Sequence, residues 1–199
     1  MAKYITLSRT LLALIAVSLL FFRSAAACWT AFAFTVLAML LDGLDGHVAR
    51  KYNEVSKTGA ILDIMSDRIV ENVYWISFMA LGWLPVWVPL LVAVRGIITD
   101  SLRSIAYEQG FTAFGESSMV KGRIGSFIVV SKAGRFAYAF AKAAAFSLLI
   151  AGHIPGGSHP LTDTAARAGY IFTGAALFIC IARSLPVIAE SRRFFWQMK

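Results

Sequence analysis

Charge is scarce in this chain. Asp, Glu, Lys and Arg make up 15% of its 199 residues, against about 25% in an ordinary soluble domain. Apolar residues fill 58%, above the ~45–50% of soluble domains. That balance argues against a water-soluble domain and excludes disorder, collagen and coiled coil. Cysteine is nearly absent: Cys28 and Cys180 sit in apolar surroundings without Cys-x-x-Cys spacing, so there is no disulfide framework and no zinc site. No internal repeat, low-complexity tract or domain boundary appears, and residues 1–199 read as a single domain. Acidic residues are the minority charge, 11 against 19 Lys and Arg, for a net +8. The basic residues punctuate apolar runs instead of lining one polar face, which points to membrane-flanking charges and away from nucleic acid.

What fills the chain is a series of apolar stretches. A spanning helix needs about 20 mainly apolar residues, and six stretches qualify: Ile5–Phe22, Trp29–Val48, Ala60–Trp83, Val86–Tyr107, Ile124–Ile150 and Ala165–Ala189. The longest polar connection lies between the fourth and fifth, over residues 108–123. Lys3 and Arg9 precede or open the first stretch. Arg50, Lys51 and Lys57 follow the second, Lys121 and Arg123 precede the fifth, and Arg192, Arg193 and Lys199 follow the sixth. The alternate connections hold only Arg23 and Arg167. The positive-inside rule then predicts an all-α integral membrane protein of six transmembrane helices with both termini cytoplasmic. Residues 1–28 also resemble a secretory signal, but Arg23 directly after the apolar run speaks against cleavage.

Ionisable groups in spanning helices cost about 2.5–3.5 kcal/mol each at mid-helix on insertion scales, so they suggest function. Asp42 and Asp45 close the second stretch at i, i+3, and Asp63 and Asp67 open the third at i, i+4. Each pair shares a helical face, and the two pairs are expected at similar depth near the cytoplasmic side. Four converging carboxylates repel unless cations neutralise them, and all-oxygen ligation suits Mg²⁺ or Mn²⁺. The competing reading is a set of ion pairs with Arg50, Arg68 or Lys57. Gly43, Gly46 and Gly59 leave room for close approach, and Arg50 suits a phosphate.

Taken together, Asp42-Gly-Leu-Asp45-Gly46-His-Val-Ala49-Arg50, eight residues, Gly59, three residues, Asp63, three residues and Asp67 is similar to the signature of the CDP-alcohol phosphotransferase family, D-x-x-D-G-x-x-A-R-x8-G-x3-D-x3-D. Every fixed position and spacing is matched. The resemblance implies metal-dependent transfer of a phosphatidyl group from CDP-diacylglycerol to a hydroxyl acceptor, with release of CMP. It implies that Asp42, Asp45, Asp63 and Asp67 bind the metal, with Asp67 as general base, and that Asp45, Gly46, Ala49, Arg50 and Gly59 form the CDP site. A bacterial cytoplasmic membrane is the expected location, with the site facing the cytoplasm. A homodimer is compatible with the resemblance.

The second half carries Arg95, Thr99 and Arg103, then Lys132, Arg135 and Lys142, then Arg183, all within apolar stretches. Such cations suit an acceptor with its own phosphate; alternatively they snorkel to the headgroups. Arg103 and Arg135 are the expected acceptor residues. Thr6-Leu-Ser-Arg9 and Leu102-Arg103 resemble features of phosphatidylglycerophosphate synthases, which makes glycerol 3-phosphate the expected acceptor, with inositol phosphate or serine as alternatives. A cation transporter is the reading from another class.

Overall fold

The computed structural model describes residues 2–51, 57–108, 131–156 and 160–196, with the side chains of 2–3, 44–51, 57–58, 60, 107–108, 132 and 192–196 outside the description. Among the described residues all regular structure is helical: α1 (Ala2–Leu20), α2 (Ala25–Lys51), α3 (Lys57–Ala80), α4 (Trp87–Glu108), α5 (Lys132–Gly152) and α6 (Pro160–Trp196).

Each expected stretch contains a helix, but several ends differ for local reasons. α1 stops at Leu20, and Arg23 takes φ +51° in the reversal that follows, the left-handed backbone common after a helix. α2 starts before Trp29 because Ser24 caps it, its Oγ accepting from the Ala27 N–H at 3.2 Å. α3 stops at Ala80 instead of Trp83: the Gly82 and Trp83 N–H groups turn back to the carbonyls of Met79 and Phe78, with Gly82 at φ +80°. α6 outruns both expected ends. Pro160 opens it, where its missing N–H is no loss, and Pro186 lies inside it without ending it. The expected fifth-helix residues 124–130, and the polar connection from residue 109, lie outside the described residues.

Among the described residues, three helical segments are long and apolar enough to cross a membrane: Ala25–Gly43, Ala133–Gly152 and Pro160–Ser191. Tyr4–Leu20 is apolar but shorter. α3 and α4 fall short because Asp63, Asp67, Arg68 and Glu71 interrupt the first and Arg95, Asp100 and Arg103 the second. Large apolar side chains point outward on several helices, among them Leu11, Ile97, Ile171 and Phe178, a surface that suits a membrane protein.

The chain forms two compact units, Met1–Pro89 with Ala143–Ile171, and Leu90–Lys142 with Phe172–Lys199. In the first, α1 packs against both α2 and α3. Small residues make the close approaches, Ala13 and Ala16 of α1 and Ala31 of α2 being fully buried, the usual means by which helices associate in lipid. Larger rings fill the rest. Tyr74 stacks on Phe146 at 4.6 Å between centroids, with Trp75 edge-on to the same ring at 4.8 Å. The buried Tyr74 hydroxyl is satisfied: it donates to Thr35 Oγ1 at 2.8 Å, which donates to the Ala31 carbonyl at 2.7 Å.

Gly152 of α5 sits tightly against α6 within this unit. A Cβ there would lie 2.5 Å from the Cα of Ala166, whereas one at Gly174 meets nothing within 4 Å among the described residues. Gly152→Ala should therefore destabilise the protein by about 1–3 kcal/mol through overpacking. Gly174→Ala should be neutral or slightly stabilising, since alanine is the better helix former. Thermal melts of the two variants in one detergent check this; equal Tm values would contradict the close contact.

Candidate active site

Three helices of the first unit each deliver ionisable groups to one place. α2 carries Asp42 towards its C-terminal end, and α3 carries Asp63 and Asp67 one turn apart in its first half. One carboxylate oxygen from each lies within 4.8 Å of the others. All three side chains are partly exposed, so water and a soluble headgroup can reach them. Three oxygen ligands at this spacing fit a hard divalent cation.

A positive charge already stands among them. Arg9 of α1 is 4% exposed; its Nη1 pairs with Asp42, and its Nη2 donates to Oδ1 of Asp63 at 2.8 Å and Oδ1 of Asp67 at 2.9 Å. Thr6, one turn earlier on the same face, is also buried. Arg9 was expected to be a flanking charge at the start of the first span; the structure places it inside the bundle as the partner of the acidic cluster. Its burial follows from the cost of three carboxylates near low-dielectric surroundings, which a cation from the adjacent helix offsets. Arg68 donates to Glu71 at 3.1 Å, one turn deeper in α3. Glu71 is 2% exposed, a buried carboxylate on the same helix that the sequence reading passed over.

Asp45, Gly46, Ala49 and Arg50 fall on the last turns of α2, and their side chains lie outside the described residues, as does Lys57. Gly59 lies in the first turn of α3.

The second unit holds a basic cluster. Tyr138 of α5 is its centre. Arg95 of α4 donates through Nη2 to the Tyr138 hydroxyl at 3.1 Å and through Nε to Cys180 Sγ at 2.9 Å. Lys142 and Arg183 lie over the same ring at 4.8 and 5.7 Å from its centroid, within cation–π range. The charges of Arg103, Arg95 and Arg135 also act on Arg183. Arg103 itself meets Asp100 at 3.5 Å across one turn of α4, longer than a good hydrogen bond. The two expected acceptor residues thus belong to a wider basic cluster on α4, α5 and α6, in which Tyr138 had not been singled out.

Known proteins share this sequence in part. A CDP-diacylglycerol–glycerol-3-phosphate 3-phosphatidyltransferase of Mycoplasma pneumoniae is 31% identical over 74 residues, 37% of this chain and 33% of that protein. An archaetidylinositol phosphate synthase of Aeropyrum pernix is 34% identical over 86 residues, 43% of this chain and 44% of that protein. A CDP-diacylglycerol–inositol 3-phosphatidyltransferase of Saccharomyces cerevisiae is 66% identical over 29 residues, 15% of this chain and 13% of that protein. In none of the three does the match reach half of the relative's own length. The family model is broader: the description CDP-alcohol phosphatidyltransferase covers residues 1–182. With that match over most of its length, and with Asp42, Asp63 and Asp67 brought together by three helices, the chain belongs to the CDP-alcohol phosphatidyltransferase family.

Proposed function

We propose that this protein makes a phospholipid by transferring the phosphatidyl group of CDP-diacylglycerol to the hydroxyl of a small phosphorylated alcohol, with glycerol 3-phosphate as the acceptor. The observation that carries the reading is the convergence of Asp42, Asp63 and Asp67, which stand at the matching positions of the family motif. In the reaction the acceptor oxygen bonds to the phosphorus that bears the diacylglycerol. The bond from that phosphorus to the oxygen of the cytidine monophosphate breaks, and CMP departs with the electron pair. Asp67 accepts the acceptor's proton, a task for a carboxylate within hydrogen-bond reach of the hydroxyl. Asp42, Asp45, Asp63 and Asp67 would hold Mg²⁺ or Mn²⁺, which when bound offsets the charge of the diphosphate and of the transferred phosphorus. By their places in the motif, Asp45, Gly46, Ala49, Arg50 and Gly59 are the residues assigned to the CDP headgroup.

The basic cluster on α4, α5 and α6 supports a phosphorylated acceptor. Several cations around one tyrosine make a positive potential that a phosphate lowers, and guanidinium groups suit it through paired hydrogen bonds. Inositol phosphate is the second reading, favoured by the likeness to the Aeropyrum synthase. Serine, which has no phosphate, makes less use of this cluster. Purified protein incubated with CDP-diacylglycerol, Mg²⁺ and each acceptor separately tests the assignment by CMP release. Glycerol 3-phosphate should give the highest kcat/KM, and a preference for serine would overturn the phosphate assignment.

The six helices are proposed to be six spans of a bacterial cytoplasmic membrane, with both termini and the carboxylates on the cytoplasmic side. The support is the alternation of basic residues between connections. Cysteines introduced at Ser56 and Ser158 should then react with impermeant thiol reagents from opposite sides of sealed vesicles. Labelling of both from one side would contradict the six-span arrangement.

A further inference from the structure

The acidic cluster contains its own cation, and the geometry says what that cation does when a metal arrives. Arg9 meets all three carboxylates from a side chain that is 4% exposed, and one nitrogen, Nη2, serves both Asp63 and Asp67. We infer that Arg9 is an internal counter-ion of the metal site, holding Asp42, Asp63 and Asp67 together before a divalent cation binds and competing with that cation for the same oxygens. The inference rests on the reading of the three aspartates as metal ligands.

The competition follows from the lone pairs. A hard divalent ion sits about 2.0–2.5 Å from its oxygen ligands, while the guanidinium nitrogen stands 2.8 and 2.9 Å from Oδ1 of Asp63 and Asp67. Oxygens turned onto Arg9 must turn onto the ion, and two cations drawing on one cluster repel each other. A guanidinium cannot yield by releasing its proton, as an ammonium can. It must swing its side chain away, so ion binding includes that displacement. Without an ion the sign reverses, because three carboxylates facing one another at this spacing repel and Arg9 offsets part of that repulsion.

Removing Arg9 should therefore strengthen ion binding and weaken the ion-free fold. A residue that merely braces the bundle would weaken both. This opposition separates a counter-ion from a structural support.

The test uses Mn²⁺ as the probe, on the purified full chain in detergent, by electron paramagnetic resonance, with thermal melts in EDTA and in saturating Mn²⁺. Arg9→Gln should bind Mn²⁺ about tenfold or more tightly than wild type, since a like charge beside a divalent ion has been removed. It should also melt at a lower temperature than wild type in EDTA, with the deficit shrinking in Mn²⁺. Arg9→Lys keeps the charge but loses the planar fork, and should fall between the two. Should Arg9→Gln fail to fold, the lysine variant carries the test, with Mn²⁺ affinity above wild type expected. Saturable Mn²⁺ binding that is equal or weaker in the folded variant would overturn the inference alone. Wild type and variant both lacking saturable Mn²⁺ binding would overturn the metal-site reading and this inference with it.

Discussion

Asp63→Asn should lower CMP release by a factor of about 100 or more while the protein still inserts and folds. The asparagine keeps the size of the side chain and one oxygen, but loses the charge that ligates a hard cation. Charge stabilisation by a bound metal is worth several kcal/mol in such reactions, and each ~1.4 kcal/mol is a factor of ten in rate. Folding should survive because Arg9 retains Asp42 and Asp67 as partners, and because one of three mutually repelling carboxylates has been neutralised. The checks are initial rate at saturating Mg²⁺, and a melting curve in EDTA. An Asp63→Asn protein within about threefold of wild type would rule out a metal role for Asp63, given the size of that stabilisation.

Arg103→Ala should have the second largest effect, confined to one substrate. Arg103 is about a third exposed, and its contact with Asp100 across one helical turn is 3.5 Å long. Exposed pairs of this kind contribute only about 0.2–1 kcal/mol, less than a charge-assisted guanidinium–phosphate contact. Each hydrogen bond from a charged donor to an acceptor phosphate contributes roughly 1.5–3 kcal/mol. Loss of one or two should reduce kcat/KM for glycerol 3-phosphate by about ten- to more than a hundredfold. The KM for CDP-diacylglycerol should barely move, because CDP is assigned to the motif on α2 and α3. Arg135→Ala should act in the same direction. A side chain that only reaches for lipid headgroups would leave both substrates nearly unaffected, and that result would remove Arg103 from the acceptor site.

The helices were legible in the sequence because the signal is coarse: long apolar runs between charged breaks survive errors of several residues. Their ends were less so, since they depend on single local contacts such as the Ser24 cap, the Gly82 turn and the Pro160 start. The acidic cluster was legible because helical spacing alone puts Asp63 and Asp67 on one face, and a connection between two successive helices brings Asp42 near them. Its partner was not. Arg9 lies more than fifty positions from Asp63 along the chain, and within α1 it looks like one more basic residue at a membrane edge. The clue was in the arithmetic of charge, because carboxylates gathered in apolar helices need a cation, and Thr6 and Arg9 lie one turn apart on one face of α1. Glu71 was overlooked because Arg68, one turn away on the same helix, reads as a flanking charge of the second connection. The gathering of Arg95, Lys142 and Arg183 around Tyr138 involves three helices, and no spacing within one helix announces it.

The most direct measurement of the central claim is a paired count of products from purified protein, CDP-diacylglycerol and glycerol 3-phosphate, first in EDTA and then with Mg²⁺ restored. No turnover is expected in EDTA. With Mg²⁺ restored, CMP and phosphatidylglycerophosphate should appear in equal amounts, both dependent on added acceptor. CMP released in EDTA at the same rate, or released with Mg²⁺ without any phosphorylated lipid product, would contradict metal-dependent phosphatidyl transfer.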